Sequence, residues 1–317
     1  MRLQVWGYYG GESMPSLRRF YRHMTGISGW WFRLTSEGDV TGSPDMEAYE
    51  FARSRGLRVM GTFHNFLEGR FIREIAHAVL VNPMAKRRAI DNIIAAARRF
   101  RLDGVHIDLE NVDPEDRQAL TSFMRELYLT SGPYRILVTQ AVPGKTEEDP
   151  RHPWSGGFDY AALSRYVDWL VILAYEEHSF TGPPGPIASY NWYRTVMNFA
   201  LSQVPLRKLF MAIGVYGYDW PLAPVEPAAT VTFRDVVRIS ETYNAPLVFD
   251  PVSRECTLVY LAPGTDSGRW HVVWYQCFES VDWKLALVRE HGIPGVAIWE
   301  LGQEDPRVWT LIPPRAG

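Results

Sequence analysis

The sequence predicts an α/β protein, a (β/α)8 barrel of the TIM type carrying a small α+β insertion, on three observations. Short apolar runs recur eight times along the 317 residues. Several of them are followed by segments whose apolar residues repeat at helical spacing. One interval in the last third breaks this rhythm with short β-type runs and a single helix candidate. Strands alternating with helices argue for a parallel sheet, and eight such units argue for a closed barrel over an open sheet.

In chain order, the strand candidates are LQVWGYY (3 to 9), ISGWWFRL (27 to 34), LRVMGTFHNF (57 to 66) and DGVHIDLE (103 to 110). RILVTQAV (135 to 142), VDWLVILAY (167 to 175), LFMAIGVYGY (209 to 218) and PGVAIWEL (294 to 301) complete the set. Between the third and fourth, Ile90, Ile93, Ile94 and Ala97 in MAKRRAIDNIIAAARRF share one helical face. After the fourth, Leu120, Phe123, Met124 and Leu127 do the same, and Asp113 before Pro114 reads as an N-cap with proline at the first helical position. The Pro/Gly stretch TGPPGPIASYN (181 to 191) predicts a stiff loop after the sixth strand. ATVTF, APLVFDP and CTLVYLA, with FRDVVRISETY as the helix, place an α+β insertion at 219–281 within a single barrel domain spanning 1–317.

Composition narrows the function. A formal charge of -3 gives no electrostatic footprint for nucleic acid or for an anionic membrane. No apolar run is long enough to span a bilayer, and the first residues lack the apolar core of a secretory signal. The expected site of synthesis is therefore the cytoplasm. Cys256 and Cys277 neither demand a disulfide framework nor exclude one bridge. Twelve tryptophans and sixteen tyrosines are more than packing uses, and exposed indoles serve as platforms for sugar rings.

The chemistry concentrates in DGVHIDLE. Side chains alternate along a strand, so His106, Asp108 and Glu110 share the face turned into the barrel, with the Asp108 and Glu110 attachment points roughly 6 to 7 Å apart. Inward carboxylates on a parallel strand are costly unless paired or used, and crowding raises the pKa of at least one of them. The C-terminal end of a barrel strand is where such folds keep their active sites.

DGVHIDLE resembles the D-G-x-D-x-D-x-E signature of family 18 glycoside hydrolases. FHNF (63 to 66), LAYEEH (173 to 178), GVYGYDW (214 to 220) and GVAIWELG (295 to 302) resemble that family's third, sixth, seventh and eighth strand segments in order. Within the family, YEEHSFTGPPGPIA, YGYDWPL and HVVWYQ are most similar to the bacterial spore cortex-lytic N-acetylglucosaminidases. The resemblance implies a general acid/base at Glu110, a carboxylate orienting the substrate acetamido group at Asp108, and a tyrosine bonding its carbonyl oxygen at Tyr175. It implies a sugar-stacking floor at Trp299, supporting acids or their substitutes at Asp103 and His106, and cleft positions at Asn65, Glu176, Tyr216 and Gln276. The implied reaction is retaining, substrate-assisted cleavage of peptidoglycan-type glycan, with no metal or organic cofactor. The same chemistry on chitin oligosaccharides and a non-catalytic glycan-binding barrel are the alternatives, and retention of an acid at position 110 weighs against the latter.

The sequence departs from the family pattern at His106, where an acid is usual, at Tyr175-Glu176 in place of Tyr-Asp, and at Gln276 where an acid is common. The LysM repeats that often precede this domain are not seen, so targeting to peptidoglycan is expected from elsewhere or to be weak. His64, His77, His152, His178 and His271 show no metal-site spacing and read as ordinary surface or core histidines. Of the pair Trp30 and Trp31, one is expected against the core and one toward a helix or the cleft. Trp154 sits on a loop after the fifth strand as a candidate sugar platform.

Overall fold

The computed structural model describes residues 3–222, 226–263 and 269–315. Eight parallel strands close into a ring: β1 (Gln4–Tyr9), β2 (Gly26–Leu34), β3 (Arg58–His64), β4 (Gly104–Asp108), β5 (Leu137–Pro143), β6 (Trp169–Leu173), β7 (Leu209–Gly214) and β8 (Gly295–Trp299). Each pairs with its neighbours in sequence order, and β8 pairs with β1 to close the barrel. Trp6, Met60, Ala141, Val171, Phe210, Ala212 and Ala297 fill the interior, while a larger apolar layer lies between the strands and the surrounding helices.

The helices start where their caps dictate. Asn82 accepts from the amides of Met84 and Ala85, Pro83 takes the first helical position, and Pro83–Arg99 buries Ile90, Ile93, Ile94 and Ala97 against the barrel. Asp113 accepts from Glu115 N and opens a 3-10 turn, Pro114–Asp116, that leads into Arg117–Ser131. A hairpin, Phe66–Leu67 with Arg70–Phe71, and the helix Arg73–Val81 follow β3; the apolar periodicity of the sequence had not separated them. No helix among the described residues is long and apolar enough to cross a membrane.

β2 carries an irregularity between Gly29 and Phe32, which lets Trp30 and Trp31 part company. Trp31 folds back over Gly29, where a Cβ would lie 2.1 Å from the indole. Trp30 instead stacks on His64 at 4.3 Å, at the mouth.

The apolar run 209 to 218 is two strands in two sheets. β7 ends at Gly214, and Gly217–Pro221 belongs to a five-stranded antiparallel sheet with Ala229–Val231, Val248–Asp250, Glu255–Ala262 and Arg269–Tyr275. The insertion therefore begins at Gly217 rather than 219 and its sheet ends at Tyr275. Residues 278 to 281 belong to the last barrel helix, Phe278–Glu290, and 223–225 and 264–268 lie outside the described residues. One face of the sheet is covered by Phe233–Tyr243, which a reciprocal capping box of Thr232 and Asp235 begins.

Two linkages fasten the insertion to the barrel. Cys256 and Cys277 form a disulfide joining the sheet to the start of the last helix. Beside it, the fully buried Glu255 accepts from the amides of Ile187 (2.8 Å) and Ala188 (2.7 Å), from Gln276 Nε2, and from Lys284 Nζ at 3.4 Å. A buried carboxylate is tolerated because every one of these donors replaces water.

Candidate active site

β4 brings His106 and Asp108 to the barrel interior and delivers Glu110 at its mouth. Asn65, just past β3, holds Glu110 by its backbone: Asn65 Oδ1 accepts from Glu110 N at 3.0 Å and Nδ2 donates to Glu110 O at 2.9 Å. Asn65 is fully buried, so it fixes the position of Glu110 rather than reaching into the cleft. Asn111, the next residue, takes a left-handed conformation (φ 55°), and Arg73 secures it with two bonds to its Oδ1 at 2.9 and 3.2 Å.

Burial, then the charges of Asp108 and Glu176, holds the Glu110 carboxyl well above the usual carboxylate range. Burial pushes Asp108 up to about 7, and Asp108 Oδ1 has no protein partner. A carboxyl that keeps its proton near neutral pH can donate it, and an unpartnered carboxylate oxygen in the same cleft is free to accept a bond from a ligand.

Beneath them lies a chain of hydrogen bonds. Thr139 Oγ1 donates to Val105 O at 3.3 Å and so accepts from His106 Nδ1 at 2.8 Å, which leaves His106 Nε2 to accept from Tyr8 OH at 2.8 Å. His106 is thereby a neutral imidazole with its proton on Nδ1, and burial takes its pKa down to about 3. The position where the family pattern has an acid is filled by a structural, non-titrating group.

Tyr175 follows β6, and burial together with the nearby acids keeps its phenol protonated, a donor. Glu176 takes a left-handed conformation (φ 64°) and is exposed, its Oε1 accepting from Tyr218 OH at 2.8 Å and Tyr216 OH at 3.2 Å. Trp299 ends β8, with the edges or faces of Tyr8 and Trp30 5.1 Å from it. Glu300 follows through a cis peptide and lies against Gly10, where a Cβ would come within 2.8 Å of its Oε1; burial raises its pKa to about 7.

Asp103, implied as a supporting acid, and Gln276, implied as a cleft position, both lie away from the substrate. Asp103 stands at the N-terminal end of β4, opposite the mouth, bonded to Arg53 Nη1 at 2.8 and 3.0 Å and to Val59 N at 2.7 Å. It is a structural ion pair. Gln276 is 1% exposed and its amide is spent on Glu255 and on Lys284 Nζ at 2.9 Å, so it has no group left for substrate. Trp30 is the member of the tryptophan pair that faces the cleft, and Tyr8 reaches the site without having been singled out for it. For Tyr8 the only sequence signal was its place near the C-terminal end of the first strand.

Residues 76–304 match the model of the Glycosyl hydrolases family 18. The putative sporulation-specific glycosylase YdhD of Bacillus subtilis (strain 168) is 31% identical over 295 residues, covering 91% of this chain and 69% of that protein. A chitinase from Chromobacterium violaceum ATCC 12472 superimposes with a TM-score of 0.89 at 28% identity over 98% of both chains. The Bacillus cereus spore cortex-lytic enzyme SleL gives 0.88 at 25%, over 98% of this chain and 73% of that one. The matched span runs from before β4 to beyond β8 and so contains Asp108, Glu110, Tyr175 and Trp299, and on these grounds the chain belongs to glycosyl hydrolase family 18 and is a glycoside hydrolase.

Proposed function

We propose that this chain cleaves β-1,4 bonds after N-acetylglucosamine in peptidoglycan-type glycan of the spore cortex, with retention, by substrate-assisted catalysis. The observation that carries the mechanism is the placement of Asp108 at the end of β4 and Glu110 two residues beyond it, with Glu176 engaged by two phenols. An ordinary retaining pair flanks the sugar from both sides, whereas two acids two residues apart approach it from one. The nucleophile is then the substrate's own acetamido oxygen. Glu110 protonates the departing glycosidic oxygen as its bond to the anomeric carbon breaks, while the acetamido oxygen closes on that carbon. Asp108 accepts from the acetamido N–H, Tyr175 donates to the carbonyl oxygen, and Trp299 supports the sugar ring. Glu110, now ionised, takes a proton from the water that opens the oxazolinium ring.

The name of SleL supports the cortex as the substrate source, and that of YdhD a role in sporulation. The chitinase that covers 98% of both chains favours a second reading, the same chemistry on chitin oligosaccharides. A thiazoline analogue of the oxazolinium should inhibit competitively, and substrates with a free amine in place of the N-acetyl group should resist cleavage. A covalent glycosyl-enzyme seen by intact-protein mass spectrometry refutes the mechanism. Fragment masses from cortex and from chitin oligosaccharides decide between the substrates.

A further inference from the structure

We propose that Trp154 is a stacking platform for a sugar on the leaving-group side of the cleft, a role that rests on Glu110 being the proton donor. The segment 144–159 after β5 has no strand pairing to hold it, yet three cations fasten its carbonyls. Lys145 Nζ, itself only 4% exposed, donates to Phe158 O at 2.6 Å, Arg117 Nη1 to Gly156 O at 2.8 Å, and Arg73 Nη2 to Pro153 O at 3.0 Å. His152 Nδ1 accepts from the amides of Trp154 and Ser155 at 3.2 and 3.1 Å. Buried Phe158 anchors the far end. All this order surrounds an indole left 41% exposed.

A lone exposed aromatic residue is ordinary. This one is distinguished by where it is held. The same Arg73 Nη2 that binds Pro153 O donates to Asn111 Oδ1 at 2.9 Å, and Asn111 follows Glu110. One guanidinium thus ties the residue before Trp154 to the residue after the proton donor. In the ring of strands, β8 with Trp299 lies across from β4 with Glu110, and the loop after β5 lies beyond β4. The ring that rests on Trp299 keeps the anomeric carbon; the departing sugar lies past Glu110, where Trp154 is presented. An indole carried on a backbone already fixed in place gives its stacking energy at a smaller ordering cost than one on a loose loop.

The test compares kcat/KM on an N-acetylglucosamine hexamer with that on an aryl glycoside of the N-acetylglucosamine disaccharide, whose leaving group is one aryl ring. Trp154→Ala should lower the ratio of the two about five- to tenfold, the loss of one stacked ring. Trp154→Phe should keep most of it. An unchanged ratio in Trp154→Ala, or an equal loss in Trp154→Phe, overturns the proposal. Glu110→Gln run in parallel separates the two readings: retained activity there overturns the proton-donor assignment, while the ratio still reports on Trp154.

Discussion

Asn65 grips both backbone polar atoms of Glu110, accepting from its N–H at 3.0 Å and donating to its carbonyl at 2.9 Å. The donor carboxyl is thus aimed from the neighbouring strand. Asn65→Ala leaves Glu110 in place chemically but loosens its backbone and strands a buried N–H and C=O. The expected outcome is a loss of kcat of about tenfold or more with little change in KM, since orientation and not binding is lost. A rise in KM at constant kcat would contradict it.

Glu110→Gln removes the proton and almost no volume. It should lower kcat by several orders of magnitude and leave inhibitor affinity, read by calorimetry, nearly intact. Residual activity above about a tenth of the parent's sinks the assignment. In the parent, activity should fall on the alkaline side as the elevated Glu110 carboxyl ionises.

Asp108 ties stability to pH. Its pKa rises from 3.8 to about 7 on burial, so between those values the folded chain keeps a proton that the unfolded chain has released. The contribution of Asp108 to stability therefore declines as pH rises through that window and is level outside it. Asp108→Asn should shrink the difference in unfolding free energy between pH 4 and pH 8 by on the order of 1–4 kcal/mol, while reducing activity. Urea titrations that run parallel for parent and variant across this range would refute the assignment.

His106→Asn replaces a neutral ring by a neutral amide. With the imidazole pKa near 3, no limb of the activity profile belongs to it, and kcat/KM against pH should superimpose above about pH 4 after scaling. The melting temperature should drop by several degrees, because the Tyr8 and Thr139 bonds lose their bridge. A displaced limb would mean that the imidazole titrates during turnover.

The barrel was legible because its strands are short apolar runs punctuated by capped helices, and both periods survive in the sequence. His106, Asp108 and Glu110 were legible from alternation alone. The same alternation puts Asp103 on the opposite face and at the other end of the strand, a parity that the family pattern obscured. Gln276 could not be placed locally, since its partners Glu255 and Lys284 come from another strand and the last helix. The boundary at Gly214 was hidden because both strands it separates are buried and no charged residue interrupts 209–218 to mark the change of sheet.

Glu255 sits in the insertion, yet two of its partners are the amides of Ile187 and Ala188, on the loop that begins with Tyr175 and Glu176. The insertion is thus a buttress for one wall of the cleft and cannot be treated as a removable cassette. A chimera that exchanges the sheet between two such barrels has to carry along the 187–188 turn, Gln276 and Lys284. Otherwise it leaves an unpaired charge at the join, and the recombination breakpoints that preserve the site are those outside 175–290.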